Sequence, residues 1–206
     1  IVNNKGYSYG GGIFVSSNGF LMATDSVISD NRAARGGGIF ATGGSTGSYS
    51  IFLDYCSLEN NKAATTGNDM VTGGAITTEG SNTEAKIINS NFKNNHSENT
   101  GGAIRTGGLL ELENSNFKGS KSNYAGGALF VEGPVQITGG EFSGNATMES
   151  GGAIYADENA MPLLNIKGTE FSDNKAERVI VWEEEDMGHE AFAVFKALLD
   201  EGAVQA

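Results

Sequence analysis

Few side chains in this 206-residue sequence stand at spacings that do chemistry. Two carboxylates facing each other across a sugar ring can cleave a glycosidic bond, so matched acids are the first constellation to seek. Asp30 and Asp173 hold matching motif positions, but in coils far apart, where acids of this kind are solvated turn residues. Only four arginines exist to bind an acidic substrate: Arg32, Arg35, Arg105 and Arg178. His96 and His189 have no metal-ligating neighbour at short spacing. Cys56 is the single cysteine, which excludes a disulfide framework, and it aligns with small residues in the other motif copies. The run Gly43-Gly44-Ser45-Thr46-Gly47 lacks the Lys and the strand-to-helix setting of a phosphate loop. The Asp of the calcium-binding nonapeptide repeat is missing too. The expectation is a non-enzyme, with no catalytic residues, no metal and no cofactor.

Charge narrows the partners. Thirteen Lys and Arg against 25 Asp and Glu give a formal net charge of −12 and a pI of about 4.5. Nucleic acid and anionic membrane surfaces are poor partners for such a molecule as a whole. No run of apolar residues is long enough for a transmembrane helix. The acids concentrate after residue 178: Glu183, Glu184, Glu185, Asp186, Glu190, Asp200 and Glu201 face only Lys196. That shift sets a domain boundary, with 1–178 as one body and 179–206 as an acidic tail.

The elements that must position any site follow from the 31 glycines. Six times the chain reads Gly-Gly-(Ala/Gly)-(Ile/Leu), ending at Ile13, Ile39, Ile76, Ile104, Leu129 and Ile154. Each copy is followed by an apolar-x-x-polar motif: Ile28 to Asn31, Leu58 to Asn61, Phe92 to Asn95, Phe117 to Ser120, Phe142 to Asn145 and Phe171 to Asn174. Upstream of each second motif sits an apolar pair separated by two, such as Leu110/Leu112 or Val135/Ile137, which is strand alternation. A unit this short cannot bury its own apolar face, so it stacks on its copies. The expected fold is all-β, a right-handed parallel β-helix of about six coils. Ile1 to Asn4 fit the register as the tail of an earlier coil, so the chain is expected to start mid-coil.

Each repeated residue then has a task. Gly-Gly forms a corner, where φ is positive or a neighbouring backbone passes close. The motif Asn supplies left-handed turn geometry and stacks its amide on the next coil, with Ser120 interrupting the column. Two glycosylation sequons, Asn95-His96-Ser97 and Asn145-Ala146-Thr147, use that same Asn, so a glycan there would conflict with its structural role.

The residue after each motif Ile or Leu is expected to point outward: Phe14, Phe40, Thr77, Arg105, Phe130 and Tyr155. Four of the six are aromatic, so this column is the candidate binding surface for a protein or glycan. The alternative is cross-coil stacking under a loop or the tail. Insertions at Gly43 to Tyr49, Lys62 to Met70, Glu79 to Glu84 and Asp157 to Pro162 are further places for binding specificity.

Paired Gly-Gly-Ala-Ile and Phe-x-x-Asn motifs resemble the repeats of polymorphic outer membrane proteins. The best matches are Gly151-Gly152-Ala153-Ile154 with Phe171-Ser172-Asp173-Asn174, and Gly126-Gly127-Ala128-Leu129 with Phe142-Ser143-Gly144-Asn145. The resemblance implies a surface-exposed or secreted repeat protein whose solenoid serves in adhesion. It covers residues 1–178. The alternatives are a structural scaffold or spacer whose partners are neighbouring subunits of an assembly and, further off, a polysaccharide-acting enzyme.

The tail differs in pattern. Val179 to Trp182 reads as a last strand and His189 to Glu201 as an amphipathic helix stopped by Gly202. Its expected role is a short helical cap on the open end of the solenoid, ahead of a docking helix for a partner.

Overall fold

A computed structural model of the chain describes residues 1–45, 47–64, 70–157 and 163–176. The expected strand at Val179 to Trp182 and the helical cap at His189 to Glu201 lie outside the described residues. So do parts of three of the insertions, those beginning at Gly43, Lys62 and Asp157.

The first coil sets the pattern, with β1 (Ile13–Val15), β2 (Leu21–Thr24), β3 (Val27–Ser29) and β4 (Arg32–Ala33). Five further coils repeat it, and each strand pairs in parallel with its counterparts above and below. The result is four six-stranded parallel sheets, with no helix among the described residues. The fold is therefore the all-β parallel solenoid that the motif register predicts.

Inward rows from three of the sheets build the core. The β1 row runs Ile13, Ile39, Ile76, Ile104, Leu129 and Ile154 in register. The β2 row runs through Ile51, Ala85, Leu110 and Val135, and its partner row two residues on through Leu53, Ile87, Leu112 and Ile137. The β3 row ends in four phenylalanines, Phe92, Phe117, Phe142 and Phe171, whose rings stack face to face at 4.5, 4.6 and 5.1 Å. The first two spacings are close to the separation of neighbouring strands, so the pitch of the sheet itself sets the aromatic stack. Length variation does not disturb these rows. A bulge between Glu84 and Ala85 absorbs the irregular third coil, and the alternation resumes immediately.

The corners explain the glycines. Gly36 has φ of +60°, and a Cβ there would overlap the carbonyl oxygen of Ile39. Gly37 needs no unusual φ; a Cβ would instead strike Gly74 O and the Lys62 backbone of the next coil. The pair thus serves two purposes, a tight turn and a close crossing.

The polar column beside β4 is a hydrogen-bond ladder. Asn31 donates from its backbone N and its Nδ2 to Asn61 Oδ1 at 3.1 and 3.0 Å, and Asn61 does the same to Asn95 Oδ1 at 3.0 and 3.1 Å. Asn145 repeats the arrangement with Asn174. Each remaining amide hydrogen meets a backbone carbonyl of the coil before, as in Asn95 Nδ2 to Leu58 O at 2.8 Å. Ser120 interrupts the ladder, and its Oγ is the one buried side-chain polar atom among the described residues without a partner. The left-handed conformation expected of the motif Asn belongs instead to the residue before it. Asp30, Asn60, Asn94 and Asp173 carry φ of 57°, 54°, 53° and 53°. A left-handed residue there turns the chain, and the following Asn is left free to aim its amide inward.

Candidate functional site

The expected outward column is aligned as predicted, since Phe14 pairs with Phe40, Phe40 with Thr77, Thr77 with Arg105, Arg105 with Phe130 and Phe130 with Tyr155. Its exposure is not as predicted. Phe40, Thr77 and Phe130 are buried, Arg105 and Tyr155 are half-buried, and only Phe14 is open, at 51%. The glycine corner causes this, because its sharp turn lays the residue five positions earlier over the column. Tyr9 packs on Phe14 and Phe40 at 6.0 and 4.7 Å. Thr77 Oγ1 donates to the Thr72 carbonyl at 2.7 Å. Phe14 stacks on Phe40 at 5.5 Å and Phe130 on Tyr155 at 5.1 Å.

Between these aromatic pairs the column is electrostatic. The Arg35 guanidinium lies 5.5 Å from the Tyr9 ring centre and 2.6 Å from Glu79 Oε1. Glu79 also faces Arg105, which pairs with Glu132. Charges alternate along Arg35, Glu79, Arg105 and Glu132, so each cation already has its anion. This seam is largely satisfied within the chain and leaves Phe14 and the overlying Tyr9 as its exposed aromatic surface.

A second column escaped the motif analysis. The residue that follows each ladder Asn or Ser lies in the β4 sheet or its bridge: Lys5, Arg32, Lys62, His96, Lys121, Ala146 and Lys175. All seven are in parallel register. Five of the chain's 13 Lys and Arg thus occupy seven positions in a molecule of net charge −12, and a histidine holds a sixth. Lys5, Lys121 and Lys175 are exposed, while Arg32, Lys62 and His96 are half-buried along their stems. Inward neighbours Ala33, Ala63, Ser97, Ser122 and Thr147 are buried, as β alternation requires. Lys62 pairs with Glu98 at 2.9 Å. Lys5, Arg32 and Lys121 make no ion pair among the described residues. The sequence carries the signal in plain form, a cation directly after the second-motif polar residue, but the motif pattern ends one residue too soon to include it.

His96 titrates below the ordinary histidine range. Burial is the main cause, and the neighbouring Lys62 and Lys121 add to it against the opposing Glu98. On the β2 face, Lys86 is held above its usual range by its bond to Glu113, and Tyr49 is raised by its 2.7 Å bond to Glu111.

The remaining candidates resolve into structure. Cys56 is buried, with its Sγ 3.4 Å from the carbonyl oxygens of Ala23 and Asp54, in a column of small hydrogen-bonding residues. Its backbone N donates to Ser90 Oγ, and that of Ser90 to Ser115 Oγ. Both sequon residues, Asn95 and Asn145, are buried in the amide ladder, so the folded chain withholds them from glycosylation. The insertion beginning at Gly43 borders a cleft of about 410 Å³ with Asn18, Phe20, Tyr49 and Ser50. No helix among the described residues is long and apolar enough to cross a membrane.

Residues 139–157 match the Chlamydia polymorphic membrane protein (Chlamydia_PMP) repeat. The matched stretch spans the fifth-coil Phe142-x-x-Asn145 and the sixth-coil Gly151-Gly152-Ala153-Ile154, one full alternation of the two motifs. No curated protein and no solved structure matches the chain.

Proposed function

We propose, for a chain that carries the polymorphic membrane protein repeat on a parallel β-solenoid, a non-catalytic adhesion module of a surface-exposed or secreted repeat protein. Its winding is taken as right-handed, the sense that parallel crossovers favour. The observation that carries the reading is the unbroken six-fold register of four sheets. Neighbouring coils lock each other through Asn, Phe and corner glycines, so outward side chains stand in straight columns at fixed spacing. A rigid array of that kind binds extended partners without ordering itself first, which limits the entropy lost on association. Its partners are a protein or glycan on another cell's surface. The matched repeat supports an outer-surface location.

Beads coated with the folded chain test this. Saturable attachment to cultured epithelial cells, lost when the chain is heat-unfolded before coating, is the expected result. Attachment no greater than that of albumin-coated beads would overturn it, as would turnover of a polysaccharide by the soluble chain. Phe14→Ser is the informative aromatic variant, because Phe40 and Phe130 are buried and their loss would report on folding instead.

A further inference from the structure

The basic column has the features of a site for a long anionic ligand. Its seven positions are separated by 25 to 34 residues in the chain but by one strand spacing in space, about 4.8 Å. Like charges at that distance repel, and a molecule with 25 acids could have interleaved them, as it does along Arg35, Glu79, Arg105 and Glu132. In the basic column Lys62 pairs with Glu98, whereas Lys5, Arg32 and Lys121 make no ion pair among the described residues. Asp30 and Asp173 occupy the turns two residues before Arg32 and Lys175, so the least neutralised cations are Lys5 and Lys121.

We propose that the column Lys5, Arg32, Lys62, His96, Lys121 and Lys175 binds a linear sulfated or carboxylated polysaccharide lying along the solenoid axis, one anionic group near each cation. This proposal rests on the adhesion reading and names its ligand class and surface. One feature favours a polysaccharide over a nucleic acid. The column is a single file, whereas the rest of the surface is acidic and repels a densely charged duplex. Exposed Tyr7 and Tyr124 stand two and three residues after Lys5 and Lys121, suited to pyranose faces. Two successive rungs, about 9.6 Å, are close to the length of a disaccharide, so an acidic disaccharide repeat meets the column in phase.

The test uses the full chain and a heparin dodecasaccharide as probe, with neutral dextran and a 12-nucleotide single-stranded DNA as comparators. The triple variant K5Q/R32Q/K121Q is compared with K93Q/K118Q/K167Q, which removes the same charge from other exposed positions. Expected are salt-sensitive binding of heparin, no binding of dextran, and at least tenfold weakening in the column variant against less than twofold in the control. Ala146→Lys fills the gap in the column and is expected to tighten binding about threefold, a gain that misfolding cannot mimic. Equal losses in both triples, tighter binding of the DNA, or no gain from Ala146→Lys would overturn the proposal. Cell attachment that persists in K5Q/R32Q/K121Q and resists heparin competition leaves the adhesion reading standing and removes the column from it. Loss of attachment by the unsubstituted chain removes both.

Discussion

Completing the amide ladder at Ser120 should stabilise the solenoid. In the intact stretches each Asn Oδ1 accepts two bonds from the preceding coil, and one Nδ2 hydrogen reaches a β3 carbonyl. At the fourth coil no side-chain link joins Asn95 to Ser120, Asn145 Oδ1 receives only the Ser120 backbone N–H at 3.0 Å, and Ser120 Oγ is buried without a partner. Ser120→Asn restores both acceptor contacts from Asn95 and the donor contacts to Asn145 and the Phe92 carbonyl. Space is available in principle. Gly12 and Gly38 lie against Asn31 and Asn61, while the same motif position is Ala75 in the coil of Asn95, Ala128 in that of Asn145, and Ala103 in that of Ser120. An Asn beside an Ala is therefore already accommodated twice. Net values of roughly 0.5–1.5 kcal/mol per hydrogen bond, reduced by the cost of fixing a larger side chain, give about 1–2 kcal/mol. For a chain of this size that is a Tm increase of about 2–8 °C. Thermal and urea unfolding followed by circular dichroism measure it, with Ser120→Ala as the control that only removes the unpartnered hydroxyl. Hydrogen exchange adds a local readout, since the Asn95 amide should exchange more slowly once it gains an acceptor. A Ser120→Asn variant no more stable than Ser120→Ala, with unchanged exchange at Asn95, would refute the reasoning.

Two further outcomes follow from the same geometry. Phe117→Ala deletes a fully buried ring stacked between Phe92 and Phe142 and should cost about 3–5 kcal/mol in urea unfolding; a loss below about 1 kcal/mol would show that the stack closes over the gap. Because burial, Lys62 and Lys121 lower the pKa of His96, the folded state favours the neutral ring over the opposing pull of Glu98. This contribution is present above the unfolded value of about 6.5 and declines as pH falls from there through the lower folded pKa. His96→Gln should flatten that part of the stability profile, and an unchanged acid slope between the two proteins would contradict the assignment.

Much of this architecture is written in local order. Separation by two at Leu110/Leu112 fixes which side chains share a face. The recurrence of Phe92, Phe117 and Phe142 at matching motif positions fixes which of them stack. Ser120 is visible in the sequence as a fault in the Asn column because one residue type is replaced at a defined motif position. Its energetic meaning is not visible there. That meaning depends on burial of Oγ and on the absence of any nearby group, both set by the neighbouring coils. Position alone likewise assigned the left-handed turn to the motif Asn, whereas steric closure of the corner places it one residue earlier, at Asp30 and its counterparts.

The sequence by itself determined the repeat, the all-β class, the inward rows and the register of the outward column, because β alternation and motif spacing are properties of the chain read in one dimension. Only the tertiary structure decided which outward column is open. A glycine corner with φ near +60° brings Tyr9 over Phe40 and Thr72 onto Thr77, so residues that alternate outward become covered. Stacking does the opposite for Lys5, Arg32, Lys62, His96, Lys121 and Lys175. Cations scattered 25 or more residues apart in an acidic chain become neighbours at one strand spacing, close enough for a single extended anion to meet them together.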